Sequence, residues 1–256
     1  MRWPSIKAGA LLLGLLLGGG SASAARAVYV GFPESIPPWV QAGGRTGIAI
    51  ELLRSALQAE GLHLHSVQQP YARRLQAYRR GQLDALYDIS PQQQQYEQLN
   101  GSISQPLHSF DNVAVALGRR QLEIEQLGDL ARWRVMAWDG AGNSLPAGYD
   151  RLLALADGNY LEAGNQGHQL LNLLAGRVDV ILSDRLIFEW QRRQLYPAAQ
   201  DHTPPLRIYP LLPPKEAGIL FRDSGLRARV DARIRALKAS PQYQAIFARY
   251  GSEAQP

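Results

Sequence analysis

The chain has 256 residues, enough for one large domain or for two smaller domains that each have their own core. It contains no cysteine, which excludes disulfides, cysteine metal sites, cysteine nucleophiles and a lipid-anchored lipoprotein. The 27 Lys and Arg residues outnumber the 22 Asp and Glu residues, but they are spread as pairs and accompany no nucleic-acid-binding motif. We therefore expect no nucleic-acid partner.

The N-terminus has the three parts of a secretory signal peptide. Arg2 and Lys7 make a basic start, residues 8–17 form an apolar run, and Ala22-Ser23-Ala24 offers a small-residue cleavage site. The run is shorter than the roughly 20 residues that a bilayer span needs, so a retained anchor is the less favoured alternative. We predict that residues 1–24 are a signal peptide and that the mature chain is exported to the bacterial periplasm.

In the first half of the mature chain, short apolar runs alternate with helical patterns that end at glycine. In the second predicted helix, Leu75 and Tyr78 face inward. The pattern predicts strands at 28–32, 62–67 and 83–89, and helices at 48–60 and 71–80.

The second half repeats this order. It predicts strands at 135–138 and 178–182, a glycine-rich loop at 140–144, and helices at 167–175 and from Ser183-Asp184 to about 194. Two further helices follow near the C-terminus: one has apolar residues at helical spacing over 226–237, and one begins at Pro241 and ends at Gly251.

A short motif occurs once in each half of the chain. Gly81-Gln82-Leu83-Asp84 and Gly176-Arg177-Val178-Asp179 both join a helix to a strand. This repetition favours two α/β lobes of similar build, although so short a motif also arises by coincidence. Because ligands of such sheets bind beyond the carboxyl ends of strands, the loops after Phe32, Ile89, Trp138 and Leu182 are the candidate binding region.

Several further motifs occur in an order and spacing that is similar to one family. They are Val30-Gly31, Pro37-Pro38-Trp39, Thr46 to Leu52, Ser104-Gln105-Pro106-Leu107 and Gly218-Ile219-Leu220-Phe221. The mature chain resembles the bacterial extracellular solute-binding proteins of the polar amino-acid type, which have the type 2 periplasmic binding fold. The resemblance implies an α/β fold of two lobes with a hinge of two crossing strands. Lobe 1 would hold residues 25–112 and 206–256, and lobe 2 residues 113–205.

The resemblance also implies a function. A small polar metabolite, amino-acid-like or amine-bearing, would bind between the lobes of a monomer that uses no cofactor or metal. The protein would then deliver the solute to a membrane permease or present it to a sensor. The alternative is a periplasmic enzyme of the dehydratase or lyase type on the same fold, with Glu162, His168 and Asp184 as acid–base groups. No catalytic signature surrounds these residues.

The family's amino-acid receptors place an Arg after the strand that here ends at Ile89, where it holds the ligand carboxylate. This chain has no Lys or Arg from residue 81 to 118, and Ser90, which stands in that region, is a predicted ligand contact. Tyr71 and Arg73, in the motif Pro70-Tyr71-Ala72-Arg73, are the predicted substitutes. The alternative is that Arg73 is an exposed helix charge.

The resemblance implies two further ligand contacts, Trp39 and Asp184, and the positions of Asp88, Asn143 and Ser144 after predicted strands add three more. Trp39, after the double proline, would stack on the ligand. Asp184 would hold the ligand amine or simply cap the following helix, and Asp88 would add a second negative charge. Asn143 and Ser144, in the glycine-rich loop, would contact an anionic group. Two carboxylates with few cations nearby favour a cationic or amine-bearing solute.

Overall fold

Two five-stranded β-sheets with packed helices form the two lobes of the computed structural model, which describes residues 26–143, 159–196 and 204–253. The predicted signal peptide at residues 1–24 lies outside these ranges. In the described ranges, no helix combines the length and the apolar character that a bilayer crossing requires.

The elements follow the predicted order, with ends that differ by a few residues. Lobe 1 begins with β1 (Ala27–Phe32), α1 (Ile48–Gln58), β2 (His63–Gln68), α2 (Tyr71–Arg79), β3 (Ala85–Tyr87), α3 (Pro91–Tyr96) and β4 (Ser102–Ile103). The chain then passes through β5 (His108–Phe110) into β6 (Asn112–Leu117), β7 (Val135–Trp138), β8 (Tyr160–Ala163), α4 (Gly167–Leu174), β9 (Val180–Asp184), α5 (Arg185–Leu195) and β10 (Leu206–Tyr209). It returns through β11 (Lys215–Ala217) to β12 (Ile219–Phe221), α6 (Ser224–Lys238) and α7 (Pro241–Ala248).

The two sheets have the same topology. The first has the order β2-β1-β3-β12-β4 and the second β8-β7-β9-β6-β10. In each, the first three strands are parallel, and the last two strands in the order each run antiparallel to the strand before them. The lobes are therefore similar in build, as the repeated motif predicts, but the sheets are mixed rather than largely parallel.

The aspartate of each repeated motif fixes the start of a central strand. Asp84 accepts a hydrogen bond from Tyr29 N (2.8 Å), and its own N–H donates to Tyr29 O (2.8 Å). Asp179 makes the same pair of contacts with Arg134 N (3.1 Å) and Arg134 O (2.8 Å). The glycine that precedes each ends its helix with a positive φ, 76° and 68° respectively, which glycine adopts without steric cost. The motif thus has one structural role in both lobes.

A two-stranded antiparallel sheet of β5 and β11 connects the lobes, with Phe110 opposite Lys215 and His108 opposite Ala217. This hinge confirms the fold class. The predicted lobe boundary at residue 206 is wrong, because β10 pairs with β6 inside the second sheet. The chain returns to lobe 1 only at β11.

Helices bury apolar faces against both sides of the first sheet. The core on one side includes residues of α1, α6 and α7, and that on the other side includes residues of α2. The C-terminal region buries its apolar side chains, namely Leu226, Val230, Ile234, Leu237, Tyr243, Ile246, Phe247 and Tyr250. Burial of this size supplies most of the stability of such helices, whose intrinsic propensity alone is marginal. This packing holds the strand ends, and hence the loops that follow them, in place.

Candidate functional site

A cleft between the lobes lies where the parallel strands of both sheets end. From lobe 1 it is lined by residues after β1, β2 and β3, and from lobe 2 by residues after β7, β8 and β9. The hinge contributes Phe110 and Lys215, and Asn112 at the start of β6 completes the base. All four loops that the sequence singles out therefore contribute to the cleft or adjoin it, as expected for ligand sites in α/β sheets.

Arg74 on α2 is the most unusual group in the cleft. Its side chain is buried, with 7% exposure, yet no described carboxylate forms an ion pair with it. Nη1 donates to Tyr87 O (3.2 Å), whereas Nε has no hydrogen-bond partner among the described residues. Burial lowers the pKa of Arg74, and the charge of Asp88 opposes this shift. Since a guanidinium keeps its proton in proteins, the cleft wall holds a buried positive charge that has no direct ion-pair partner among the described residues.

The predicted ligand contact Arg73 is exposed and does not line the cleft. The physical reason is the helical rotation of about 100° per residue, which turns adjacent side chains to different faces. Arg74 lies four residues before Tyr78, on the same face of the helix, and both are buried. The same-face rule applied to Tyr78 would have identified Arg74 from the sequence.

Tyr71 and Asp88 both line the cleft, and Ser90 does not. The Tyr71 hydroxyl donates to Glu97 Oε1 (3.4 Å), and burial raises the pKa of Tyr71 to about 12, so the phenol is neutral. Asp88 forms an ion pair with Lys215 Nζ at 3.0 Å. Ser90 instead caps α3: its Oγ accepts from Gln93 N (3.1 Å), in a reciprocal capping box.

Trp39 is buried among lobe 1 side chains rather than presented to the cleft. Its ring stacks on His108 with centroids 3.7 Å apart and an interplanar angle of 11°. Its Nε1 donates to Asp184 Oδ1 (2.9 Å) across the lobes. Trp39 therefore presents no ring face to the cleft on which a ligand could stack.

Asp184 lines the cleft at the end of β9 and is also the cap of α5. Besides the bond from Trp39, Oδ1 accepts from Ile187 N (3.0 Å) and Oδ2 accepts from Asp111 N (2.9 Å). Burial raises the pKa of Asp184 to about 6, and these hydrogen bonds oppose the shift. Asp184 can therefore both cap α5 and contact a ligand amine, because a carboxylate has about four acceptor positions and three are used.

Backbone N–H groups of the glycine-rich loop already bind a carboxylate of the chain itself. Gly140 N and Gly142 N donate to Glu162 at 2.8 and 2.9 Å, so these N–H groups are not available to an anionic ligand. The predicted contacts Asn143 and Ser144 stay untested, because the side chain of Asn143 and all of Ser144 lie outside the described residues. Glu162 and the exposed His168 do not line the cleft.

Sequence reasoning missed several polar lining residues, namely Glu34, Gln69, Asp139, Gln166 and Lys215. Four carboxylates (Glu34, Asp88, Asp139 and Asp184) face two basic groups (Arg74 and Lys215) in the cleft. Among the described lining residues, carboxylates thus outnumber basic groups, and a buried positive centre lies on the lobe 1 wall. Asp139 directly follows β7, so the strand-end rule could have found it; Lys215 comes from the hinge and required the tertiary structure.

Two α/β lobes joined by a two-stranded hinge over a polar cleft define a periplasmic binding protein of the type 2 fold. The sequence model of the bacterial extracellular solute-binding proteins, family 3, matches residues 28–253, so the chain belongs to this family. It is therefore a solute-binding protein. No functionally curated protein shows significant similarity to it.

Solved structures with similar folds are distant in sequence. A histidine kinase sensor domain with similarity to periplasmic binding proteins is 18% identical, with a TM-score of 0.71 over 91% of this chain and 99% of that chain. The arginine-, lysine-, histidine-binding protein ArtJ from Geobacillus stearothermophilus is 17% identical, with a TM-score of 0.68 over 90% and 97%. An ancestral amino-acid-binding protein, a precursor of cyclohexadienyl dehydratase, is 14% identical, with a TM-score of 0.66 over 88% and 95%. These similarities establish the fold.

Proposed function

We propose that this protein captures an amino-acid-like solute whose carboxylate binds Arg74. The observation that carries the proposal is the buried, unpaired guanidinium in the cleft wall. A buried charge without a direct ion-pair partner is costly, so an anionic group that enters the cleft gains both an ion pair and a hydrogen bond from the guanidinium. Arg74 would thereby replace the Arg that the family's amino-acid receptors carry after β3.

The amine of the solute would lie against lobe 2. Asp139 lines the cleft and has no ion-pair or side-chain hydrogen-bond partner among the described residues, and Asp184 keeps one acceptor position. Because Arg74 lies on one lobe and these carboxylates on the other, a zwitterionic solute would contact both lobes and favour their closure over it. The excess of carboxylates supports a ligand with additional positive charge, and the ligands named for ArtJ are of this class.

The cellular setting is part of the proposal. The N-terminal pattern supports export to the periplasm with cleavage after residue 24, and the family membership is consistent with this setting. There the protein would act as a monomer and pass its solute to a membrane permease, such as an ABC transporter, or to a sensor protein. Similar folds include both an amino acid ABC transporter's substrate-binding protein and a sensor domain.

We also propose that the solute is released unchanged. Two of the three acid–base candidates are placed away from the cleft, and Glu162 already accepts from Gly140 N, Gly142 N and the Tyr160 hydroxyl. Recovery of unaltered ligand by NMR after prolonged incubation is the expected result. A converted product would favour the enzyme alternative.

A calorimetric panel on the mature chain tests the binding proposal. It contains basic and neutral L-amino acids, polyamines that lack a carboxylate, and dicarboxylic acids that lack an amine. We expect amino acids to bind and basic ones to bind most tightly, because only they match both ends of the cleft. Binding confined to the polyamines or to the diacids would overturn the proposal.

A further inference from the structure

Two glutamine side chains in the cleft have amide oxygens without a donor. Gln69 Oε1 and Gln166 Oε1 are shielded from solvent and have no hydrogen-bond partner among the described residues. Gln69 follows β2 in lobe 1, and Gln166 precedes α4 in lobe 2; both line the cleft. The two lobes thus each contribute one unsatisfied acceptor to the same cavity.

Buried acceptors that lack a donor favour the binding of a ligand that supplies one. Leaving one unpaired is unfavourable, and most buried polar groups of folded proteins do find a partner. The terminal torsion of glutamine is broad, so either amide rotates to meet a donor that enters the cleft without repacking its stem. A ligand that carries N–H groups would therefore bind here more tightly than an apolar ligand of the same length.

The charges that line the cleft indicate which kind of hydrogen-bond donor would bind there. Glu34 lines the same cleft and forms no ion pair with a described residue, whereas Asp139 belongs to the proposed head-group site. A guanidinium combines positive charge with N–H donors on different edges of a rigid plane, so one group can meet acceptors on both lobes. An ammonium is a compact point charge with a strongly held hydration shell and spans the two acceptors less well.

We infer that Gln69 and Gln166 form a specificity subsite for a guanidinium group at the far end of the bound solute. This inference rests on the proposed function, in which Arg74 and the lobe 2 carboxylates hold the amino-acid head group. Because the acceptors belong to different lobes, their joint use links recognition of the side chain to closure of the cleft.

The test is calorimetry with L-arginine, L-citrulline and L-norleucine, which share one head group and differ at the far end. The variants are Gln69→Met and Gln166→Met, which keep an unbranched side chain and remove the amide. Gln169→Met is the control for loss of a buried glutamine: Gln169 Oε1 is also buried without a partner and Nε2 donates to Leu182 O (3.1 Å), but Gln169 does not line the cleft. We expect each cleft variant to lose about tenfold in affinity for arginine, with a loss also for citrulline and none for norleucine. The control should leave all three affinities unchanged.

The outcomes separate the two proposals. If the wild-type protein binds the three ligands equally, or if a cleft variant weakens norleucine as much as arginine, the subsite is refuted while the head-group site stands. If none of the three binds, the proposed function is refuted, and with it the subsite that rests on it. Should Gln69→Met not fold, Gln69→Glu retains an acceptor and adds charge, so it should raise the preference for arginine over citrulline; an unchanged preference would count against the subsite.

Discussion

The indole Nε1 of Trp39 lies 2.9 Å from Asp184 Oδ1, and this buried hydrogen bond joins lobe 1 to the first turn of α5 in lobe 2. The same indole stacks on His108 of hinge strand β5, whose Nε2 lies 2.5 Å from the Tyr87 hydroxyl. Lobe 1, the hinge and lobe 2 therefore meet in one cluster beside the cleft. The relative position of the lobes therefore depends in part on these contacts.

Replacement of Trp39 by Phe should lower the free energy of unfolding by about 2 kcal/mol. The change keeps an aromatic ring against His108 but removes a hydrogen bond to a buried carboxylate, and bonds to charged groups contribute about 1.5–3 kcal/mol. Urea denaturation followed by circular dichroism measures the effect.

Trp133→Phe is the matched control for this prediction. Trp133 Nε1 is buried without a hydrogen-bond partner among the described residues, so the same truncation there removes no bond. We expect a clearly smaller loss of stability. Equal losses in the two variants would show that ring size, rather than the bond to Asp184, determines the effect.

Asp184 should make stability fall as the pH rises. Its pKa is about 6 in the folded protein, because of burial, and about 3.9 in an unfolded chain. Between these values the folded chain binds more protons than the unfolded chain. The contribution of Asp184 is therefore complete below about pH 4 and is lost as the pH passes through 6.

Asp184→Asn isolates this contribution from that of other titrating groups. Relative to the variant, the wild-type protein should lose roughly 2–3 kcal/mol of stability between pH 4 and pH 7. Urea denaturation at several pH values gives the difference. A difference that stays constant over this range would show that the carboxyl titrates normally.

Much of the fold was predictable from the sequence because its signals are local. Glycines that end helices, apolar periodicity and the paired Asp84 and Asp179 motifs fix the order of elements and the similarity of the lobes. The lobe boundary at residue 206 was wrong, since pairing of β10 with β6 is a long-range contact that local patterns do not encode.

The cleft was predictable at the level of loops but less so at the level of side chains. The strand-end rule identifies Asp88 and Asp184 as residues of the cleft. The sequence predicts that Trp39 faces the ligand, but in the structure its hydrogen bond to Asp184 joins the two lobes. The choice between Arg73 and Arg74 depends on one step of helical rotation, and the position of Arg74 four residues before the inward-facing Tyr78 decides it.

The affinity of Arg74→Gln for the tightest-binding amino acid shows whether Arg74 binds the solute carboxylate, and Arg73→Gln is the adjacent, exposed control. Calorimetry should show a loss of about a hundredfold for Arg74→Gln, because removal of one partner of a buried charge pair costs roughly 3–5 kcal/mol and the glutamine restores only part of the hydrogen bonding. Arg73→Gln should bind as the wild-type protein does. Unchanged affinity in Arg74→Gln, or a loss confined to Arg73→Gln, would contradict the assignment of the carboxylate site.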